Sequence, residues 1–403
     1  MSIAGEVLAQ WVNQGVDVWH AGPSAALVEE EVTGWLRHLV GFDDDGWGVL
    51  TSGGVMANIM ALTVARDVHL AGLLGSPDEP PRGSALEGVR VYVSDQAHFS
   101  IERALDMLGF PRGTLRVLAS DDRFRLRGGP VAEAVAQDRA AGLRPLAIAA
   151  VAGSTNTGSV DLIGELADVA ARERLWLHID AAYGGAARLS ERDAGRVPDL
   201  ERADSVTVDP HKWFFQAYDI GALVIRHRED LRTTFHRSPE YYRSTRPQDE
   251  PLQWYHYSLE GTRRFRALKL WMSWKHLGTE GLGRLVERND DLAAYLARRV
   301  GELDDFEAIP DEPDLSIVCF RHLPGGSAAA ASMDPEALDR YQDRLQRRLE
   351  VSGEAWVSTT RLRGRTYLRA GVVNYLSTED DIDRLLRVLA DQSPAAAEGL
   401  ALG

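Results

Sequence analysis

A short apolar run ends at a carboxylate in the segment Leu175-Trp176-Leu177-His178-Ile179-Asp180-Ala181-Ala182-Tyr183-Gly184-Gly185. Such a run, bounded by small and turn-forming residues, is typical of a buried β-strand. Functional side chains of α/β proteins lie at the carboxyl ends of parallel strands, which makes Asp180 a candidate site residue. The alternative interpretation is an ordinary helix N-cap or turn aspartate. The segment therefore predicts a strand that carries Asp180 at its carboxyl end.

Similar apolar runs occur on both sides of this segment and alternate with helical patterns. The predicted strands are Val89–Ser94, Leu115–Ala119, Leu146–Val151, Leu175–Ile179, Ser205–Val208 and Ala222–Arg226. The predicted helices between them are Ile101–Leu108, Val131–Ala141 and Ile163–Arg172. This alternation predicts βαβ units, and hence an α/β fold in which helices cover a mainly parallel sheet.

Periodicity and composition divide the chain into successive parts. These are an N-terminal helical segment at 1–45, a large domain at 46–300, a small α/β C-terminal domain at 301–392 and a flexible tail at 393–403. The small domain has predicted strands near Leu315–Arg321, Ala355–Thr359 and Tyr367–Val373. Within the large domain, a helix is expected from about Ala57 to Leu74. Residues 227–260 lack periodicity and predict a long functional loop.

Composition argues against several classes of function. The 403 residues carry a net charge of −15, which disfavours a nucleic-acid or anionic-membrane partner. Cys319 is the one cysteine, so neither an internal disulfide nor a cysteine metal cluster can form, and we predict no metal site. The first residues lack the basic and apolar regions of a signal peptide, and the apolar runs are too short to span a bilayer. We therefore expect a soluble, cytoplasmic enzyme subunit.

Lysine is scarce, with three lysines among 45 Lys and Arg residues. Lys269 and Lys275 lie in one arginine-rich helical stretch, whereas Lys212 stands alone in Ser205-Val206-Thr207-Val208-Asp209-Pro210-His211-Lys212-Trp213-Phe214-Phe215. A lysine amine can lose a proton and attack a carbonyl, whereas an arginine stays charged. The β-branched and aromatic neighbours are expected to desolvate the amine and favour its nucleophilic form. We interpret Lys212 as a Schiff-base lysine; the alternative is an exposed surface cation.

A Schiff-base lysine together with Asp180 would suit pyridoxal 5′-phosphate (PLP), because a carboxylate keeps the pyridine nitrogen protonated and lets the ring accept electrons. The cofactor also needs a phosphate site. Gly53 and Gly54 precede a predicted helix whose N-terminus favours an anion, and Thr155 lies in another loop after a strand. His98 follows a strand and is placed to stack on the ring. Each signal alone is weak, since glycine pairs and surface histidines are common, but together they predict a PLP site.

The chain resembles the group II PLP-dependent amino-acid decarboxylases (aromatic-L-amino-acid decarboxylase-like) from about residue 8 to 390. The matching segments are Leu50-Thr51-Ser52-Gly53-Gly54 with Ala57-Asn58, Ser94-Asp95-Gln96-Ala97-His98, His178-Ile179-Asp180-Ala181-Ala182-Tyr183-Gly184 and Asp209-Pro210-His211-Lys212-Trp213. The resemblance implies the fold-type-I, aminotransferase-like α/β fold, with PLP bound by residues 46–300. It also implies a small C-terminal domain and a homodimer.

By position, the resemblance makes Lys212 the aldimine lysine, Asp180 the partner of the pyridine nitrogen and His98 the stacking ring. It implies that further cofactor contacts come from Gly53, Gly54, Thr155, Ala182, Asp209 and His211. Tyr241 falls in the loop whose tyrosine, in this family, helps to protonate the quinonoid after carbon dioxide leaves. That match favours simple decarboxylation to an amine. The alternative is that Tyr241 is one aromatic among several in its loop.

The leading hypothesis is a PLP-dependent carboxy-lyase that converts an L-amino acid, preferably an aromatic one, to its amine. Asp17 stands where aromatic-acting relatives have an apolar residue and would suit glutamate or a diamino acid. Arg369 lies where fold-type-I aminotransferases hold the substrate carboxylate, which leaves transamination or aldehyde formation open, as does a purely structural role for Arg369. Relatives carry a longer N-terminal arm, so the shortened N-terminus leaves an inactive scaffold as the non-enzyme alternative.

Overall fold

The computed structural model describes residues 1–77, 79–237 and 251–398. Its larger sheet has seven strands, in the spatial order β1-β7-β6-β5-β4-β2-β3. The strands are β1 Trp47–Thr51, β2 Val89–Ser94, β3 Leu115–Leu118, β4 Arg144–Val151, β5 Trp176–Asp180, β6 Ser205–Val208 and β7 Gly221–Ile225. The neighbours from β3 to β6 pair in parallel, and β7 runs antiparallel to both β6 and β1. The predicted α/β fold with a mainly parallel sheet is therefore confirmed.

Helices cover this sheet and bury its apolar side chains. They are α1 Ser2–Val12, α2 Pro23–Val40, α3 Gly54–Val64, α4 Ala71–Leu73, α5 Ser100–Met107, α6 Gly128–Ala140, α7 Ile163–Glu173, α8 Arg228–Phe235 and α9 Ala267–Gly301. Helix α3 packs against β6, β7 and α5, while α2 packs against β1 and α9. Strands β4 and β5 are buried almost completely, as expected of central parallel strands covered by helices.

A second sheet lies in the C-terminal part of the chain. Its strands are β8 Phe306–Ala308, β9 Ile317–His322, β10 Ser358–Leu362 and β11 Arg365–Gly371, all antiparallel in the order β10-β11-β9-β8. The accompanying helices are α10 Ser327–Ala331, α11 Pro335–Ser352 and α12 Glu379–Ala397. A separate hydrophobic core forms here and includes Leu296 of α9, Phe320 and Leu345. Because α9 contributes to this core and also packs on α1 and α2, it links the two parts of the structure.

The structure corrects several of the predicted elements. Residues 1–45 are not continuously helical, because α1 ends at Val12, is followed by Asn13 in a left-handed conformation, and α2 begins only at Pro23. Helix α3 begins at Gly54, before the predicted start, since Gly53 adopts a φ of 154° as its N-cap. Instead of the strand predicted at Ala355–Thr359, the structure has β10 at Ser358–Leu362.

The register of β10 follows from the tight turn that connects it to β11. Leu362 pairs with Arg365 across the two residues Arg363 and Gly364, which have φ values of 50° and 78°. Two consecutive positive φ values are the geometry that closes a two-residue β-hairpin. The turn therefore places the strand at Ser358–Leu362, a position that apolar periodicity alone did not give. Within the described part of the chain, no helix has the length and apolar character needed to cross a lipid bilayer.

Candidate active site

The ends of several strands meet around one cavity of about 360 Å³. Its volume falls within the range of roughly 300–1,000 Å³ that small-molecule sites occupy. The loops after β1, β2, β4, β5 and β6 all contribute to its wall, because the carboxyl ends of parallel strands lie at one edge of a sheet. The lining residues include Gly53, Gly54, His98, Thr155, Asp180, Ala182, Asp209, His211 and Lys212. Every described residue that was predicted to contact the cofactor thus lines the same cavity.

Asp180 is the last residue of β5 and is 6% exposed. One carboxylate oxygen, Oδ1, accepts the backbone N–H of Ala182 at 3.1 Å, which makes the chain turn sharply as it leaves the strand. The other oxygen, Oδ2, accepts Nδ2 of Asn58 at 2.8 Å. These bonds hold the carboxylate in one orientation at the floor of the cavity. A fixed, buried carboxylate is the group that a protonated ring nitrogen requires.

Lys212 reaches the cavity from the turn after β6. Its Nζ lies 3.1 Å from Oδ2 of Asp209, and its side chain is 37% exposed. The expectation that aromatic neighbours bury this amine is wrong. Phe214 enters the hydrophobic core, and Trp213 stacks on Tyr183 with ring centroids 5.0 Å apart and planes 8° from parallel. The turn therefore separates the aromatic side chains from the amine, which faces the cavity.

Burial sets the titration of the two groups beside Lys212. It raises the pKa of Asp209, although the neighbouring Lys212 and His211 lower it in part. Burial also lowers the pKa of His211, against the pull of Asp209. The Nε2 atom of His211 lies 3.6 Å from Oδ2 of Asp209. An amine, a carboxylate and an imidazole are thus held together at one end of the cavity.

Glycines at the start of α3 keep the wall beside Asp209 and His211 free of side chains. A Cβ atom on Gly54 would lie 2.9 Å from Oδ2 of Asp209, and one on Gly221 would lie 2.5 Å from Cα of Gly53. The backbone therefore passes the carboxylate more closely than any larger residue would permit. N–H groups in the first turn of an α-helix have no partner within the helix, so this end of α3 favours an anion. The free N–H groups at the start of α3 fit the phosphate of PLP, and the carboxylate of Asp180 and the amine of Lys212 fit its ring nitrogen and its aldehyde.

His98 lies in the loop after β2, half-buried and next to Phe99, whose ring centroid is 4.1 Å away. Burial lowers the pKa of His98, although Asp180 and Asp209 raise it in part. The imidazole is therefore favoured in its neutral form near neutral pH. Tyr241, the remaining candidate, lies outside the described residues.

Arg369 of β11 approaches the site from the second sheet. Its Nε donates to the backbone oxygens of Thr155 and Asn156, at 2.6 and 3.1 Å. The guanidinium therefore ties β11 to the loop after β4. Arg369 is not among the described residues that line the cavity. This contact supports a structural role for Arg369, the second of the two roles considered from the sequence.

Sequence reasoning assigned no role to several residues that shape the site. Asn58, Tyr183 and Tyr218 line the cavity, and Ser100 bonds to both Asn58 and His98. Asn58 had a usable signal, because it and Thr63 are the two polar side chains in the apolar sequence of α3. The other three gave none, since their positions depend on how separate loops meet.

The family model described as the pyridoxal-dependent decarboxylase conserved domain matches residues 1–323. A similar curated protein is the aromatic-L-amino-acid decarboxylase of Bacillus atrophaeus, which is 33% identical over 96% of this chain and 77% of its own length. Another is the L-2,4-diaminobutyrate decarboxylase of Rhizobium meliloti (strain 1021), with 31% identity over 97% of this chain and 74% of its own length.

Solved structures show the same likeness in three dimensions. The Oryza sativa TDC structure with PLP and tryptamine superposes with a TM-score of 0.90 and 29% identity, covering 98% of this chain and 81% of that one. The match to the family model extends over well more than half of the chain. The chain therefore belongs to the pyridoxal-dependent decarboxylase family, and it is a carboxy-lyase that uses pyridoxal 5′-phosphate.

Proposed function

We propose that this enzyme decarboxylates an aromatic L-amino acid to the corresponding amine. The observation that carries the proposal is the convergence of Lys212, Asp180 and His98 on one cavity at the carboxyl edge of the sheet. The aromatic preference is supported by the curated aromatic-amino-acid and tryptophan decarboxylases among the similar proteins. A diamino acid is the second candidate, because two L-2,4-diaminobutyrate decarboxylases are similar over nearly the whole chain.

PLP, when bound, supplies an aromatic ring that accepts the electron pair left on the substrate when carbon dioxide departs. In our proposal Lys212 supplies the amine that attaches the cofactor and is exchanged for the substrate amine. Asp180 holds the pyridine N–H, and its bonds from Ala182 and Asn58 keep the carboxylate in place. Both His98 and Ala182 line the cavity, where His98 would cover one face of the cofactor ring and Ala182 would pack near the other.

The phosphate is assigned to the glycine end of the cavity. Gly53 and Gly54 leave backbone N–H groups of α3 accessible, and Thr155 and His211 line the same cavity. Asp209 bonds to Lys212 and thereby orients the amine toward the ring position. After carbon dioxide leaves, a proton must reach the substrate α-carbon, and we assign that step to Tyr241 with His98 as the second candidate.

A pooled substrate assay tests the proposal directly. The PLP-loaded enzyme is incubated with the aromatic amino acids, histidine, glutamate and 2,4-diaminobutyrate together, and the products are identified by mass spectrometry. We expect the amine of an aromatic amino acid. Diaminopropane would move the assignment to the diamino acid, and a keto acid or aldehyde would replace decarboxylation by transamination or oxidation.

We also propose that two copies of the chain form the functional unit, as the family resemblance implies. Supporting this, helix α1 exposes an apolar face that includes Ile3, Val7 and Trp11, which are 75%, 62% and 81% exposed. These residues follow each other at intervals of four and so lie on one side of the helix. The opposite side of α1, with Gly5 and Ala9, is buried against α9. A second copy of the chain is the occupant we assign to the exposed face.

A further inference from the structure

A buried chain of hydrogen bonds joins Asp180 to His98. Nδ2 of Asn58 donates to Oδ2 of Asp180 and to Oγ of Ser100, both at 2.8 Å. Oγ of Ser100 in turn lies 2.8 Å from Nδ1 of His98. Asn58 and Ser100 are buried, at 1% and 0% exposure, so water does not compete for these bonds. Asp180, which would hold the pyridine nitrogen, and His98, which would cover the ring face, therefore belong to one hydrogen-bond network.

The orientation of the Asn58 amide follows from its surroundings. Its Oδ1 accepts Oγ1 of Thr207 at 2.6 Å and faces Nε2 of His178 at 3.0 Å. A flipped amide would point its oxygen at the Asp180 carboxylate, two acceptors that repel each other. The Asn58 amide nitrogen therefore donates to Asp180 and Ser100, and its oxygen accepts from Thr207 and His178.

The hydrogen bonds among the strand residues Trp176, Ser205 and His178 support the same orientation of the Asn58 amide. Trp176 can only donate from Nε1, and it does so to Oγ of Ser205 at 2.9 Å. That hydroxyl is then free to donate to Nδ1 of His178, 2.9 Å away. His178 consequently carries its proton on Nε2 and donates it to Asn58. Each hydrogen bond in the series from Trp176 through Ser205 and His178 to Asn58 thus has one donor and one acceptor.

The same reasoning determines where His98 carries its proton. The backbone N–H of Ser100, which can only donate, points at Nδ1 of His98 at 3.3 Å. The Ser100 hydroxyl receives the Asn58 donor and so directs its own hydrogen to the same Nδ1. With two donors directed at it, Nδ1 must be the unprotonated nitrogen of a neutral ring.

We propose that Asn58 and Ser100 are positioning residues that hold His98 in the tautomer protonated at Nε2. The one ring proton is then kept away from the protein network and remains available to a ligand in the cavity. Burial lowers the pKa of His98 and keeps the ring neutral, which this tautomer requires. The inference rests on the proposed function, because it gives His98 a defined hydrogen-bond donor that can orient the reacting carboxylate of the substrate. A neutral ring donates this hydrogen bond without giving up its proton, so the inference leaves protonation of the α-carbon to Tyr241.

Nitrogen NMR on ¹⁵N-histidine-labelled protein tests the tautomer independently of turnover. Spectra are recorded with and without PLP, and the His98→Gln variant assigns the signal of His98. We expect the unmodified protein to show a deprotonated Nδ1 and a protonated Nε2. A protonated Nδ1 in the unmodified protein would overturn the proposal, whether or not the enzyme is active.

Two variants then test whether Ser100 imposes this state. In Ser100→Ala the hydroxyl donor is lost, and we expect the His98 signals to shift toward a mixture of the two tautomers. Ser273→Ala is the matched control, because Ser273 on α9 also has a buried hydroxyl, but that hydroxyl bonds to the side chain of Gln216 and the backbone oxygen of Lys269. If Ser100→Ala left the His98 signals unchanged, the positioning role would be wrong.

If Ser100→Ala fails to fold, the kinetic constants of a second variant, Asn58→Asp, are compared with those of the unmodified enzyme. Asn58→Asp keeps the shape of the side chain but replaces the donor that faces Asp180 and Ser100 with an acceptor. We expect kcat to fall by about tenfold or more with little change in KM, because the network acts on the reacting groups. A KM change alone would contradict the proposal. Failure of the decarboxylase assignment would appear instead as absence of amine from the unmodified enzyme.

Discussion

Nζ of Lys212 and Oδ2 of Asp209 lie 3.1 Å apart, across a turn in which only two residues separate them. Asp209 is almost fully buried, whereas the lysine side chain is partly exposed to the cavity. The Asp209 carboxylate therefore holds the Lys212 amine from its buried side, and a molecule in the cavity can still reach the amine. Because only the turn residues Pro210 and His211 lie between them, the short distance between this amine and this carboxylate depends on the local sequence alone.

Replacing Lys212 with alanine should eliminate the covalent attachment of PLP. The expected result is loss of the yellow absorbance of the purified protein and a fall in amine production of about 10³-fold or more, because no other group supplies the nucleophile. Absorbance spectra and product formation measure the two effects. Lys275→Ala is the control, since Lys275 is exposed and pairs with Glu31 outside the cavity. A Lys212→Ala protein that stayed yellow and active would contradict the assignment.

The reaction outcome should depend on Tyr241. Tyr241→Phe removes the phenol that we assign as proton donor, so the electron pair left at the substrate α-carbon is not protonated. Dioxygen can then oxidise that carbon, and water releases the aldehyde together with ammonia and hydrogen peroxide. We expect the product to change from mainly amine to mainly aldehyde, with oxygen consumed. Mass spectrometry and an oxygen electrode measure both. Tyr242→Phe, the same change at the next residue, should keep the amine as product, and an unaltered amine yield in Tyr241→Phe would remove the assigned role.

The central features of the site were predictable because they belong to single strands and the turns that follow them. Asp180 at the end of β5 and Lys212 in the turn after β6 could be located from apolar runs and the residues that end them. Parallel strands then bring these ends to one edge of the sheet. Local sequence was sufficient wherever one strand and its following turn determined the position.

What the sequence did not predict depends on contacts between distant segments. Asn58 bonds to Asp180 across 122 positions, and Ser100 meets Asn58 across 42. The exposure of Lys212 was predicted wrongly for a related reason. The aromatic residues after it were expected to surround the amine, but the turn directs Trp213 and Phe214 into the core. Adjacent residues in a turn can thus have opposite environments.

The apolar face of α1 gives a prediction for assembly. Trp11→Glu places a charge on that face, so we expect the molar mass measured by light scattering to fall from twice the chain mass of 44.4 kDa toward the single chain. Asn13→Asp is the control, because it adds the same charge at the end of the helix and aspartate tolerates the left-handed backbone found there. An unmodified protein of single-chain mass would remove the dimer proposal, and a Trp11→Glu variant that remained dimeric would exclude this face.

Asp290 should make the protein less stable as the pH rises. The residue lies on α9 with an exposure of 4%, and neither carboxylate oxygen accepts a hydrogen bond from a donor within the described residues. Burial raises the pKa of Asp290 to about 8, and the nearby Asp193 adds to this, while Arg196 and Arg192 oppose it. The folded protein therefore holds a proton on Asp290 that the unfolded chain releases at a much lower pH. The free energy of unfolding should fall as the pH increases from the ordinary aspartate range to about 8.

Asp290→Asn tests this because the amide has nearly the same shape and no ionisable proton. We expect the variant to be more stable than the unmodified protein at pH 8.5 by about 2 kcal/mol, and the difference to shrink at pH 5. Urea unfolding at both pH values measures it. Glu280→Gln provides the control, since Glu280 lies on the same helix with its side chain 90% exposed. Equal effects of Asp290→Asn at the two pH values would show that Asp290 is already ionised in the folded protein, because only a proton released on unfolding makes the benefit of the amide depend on pH.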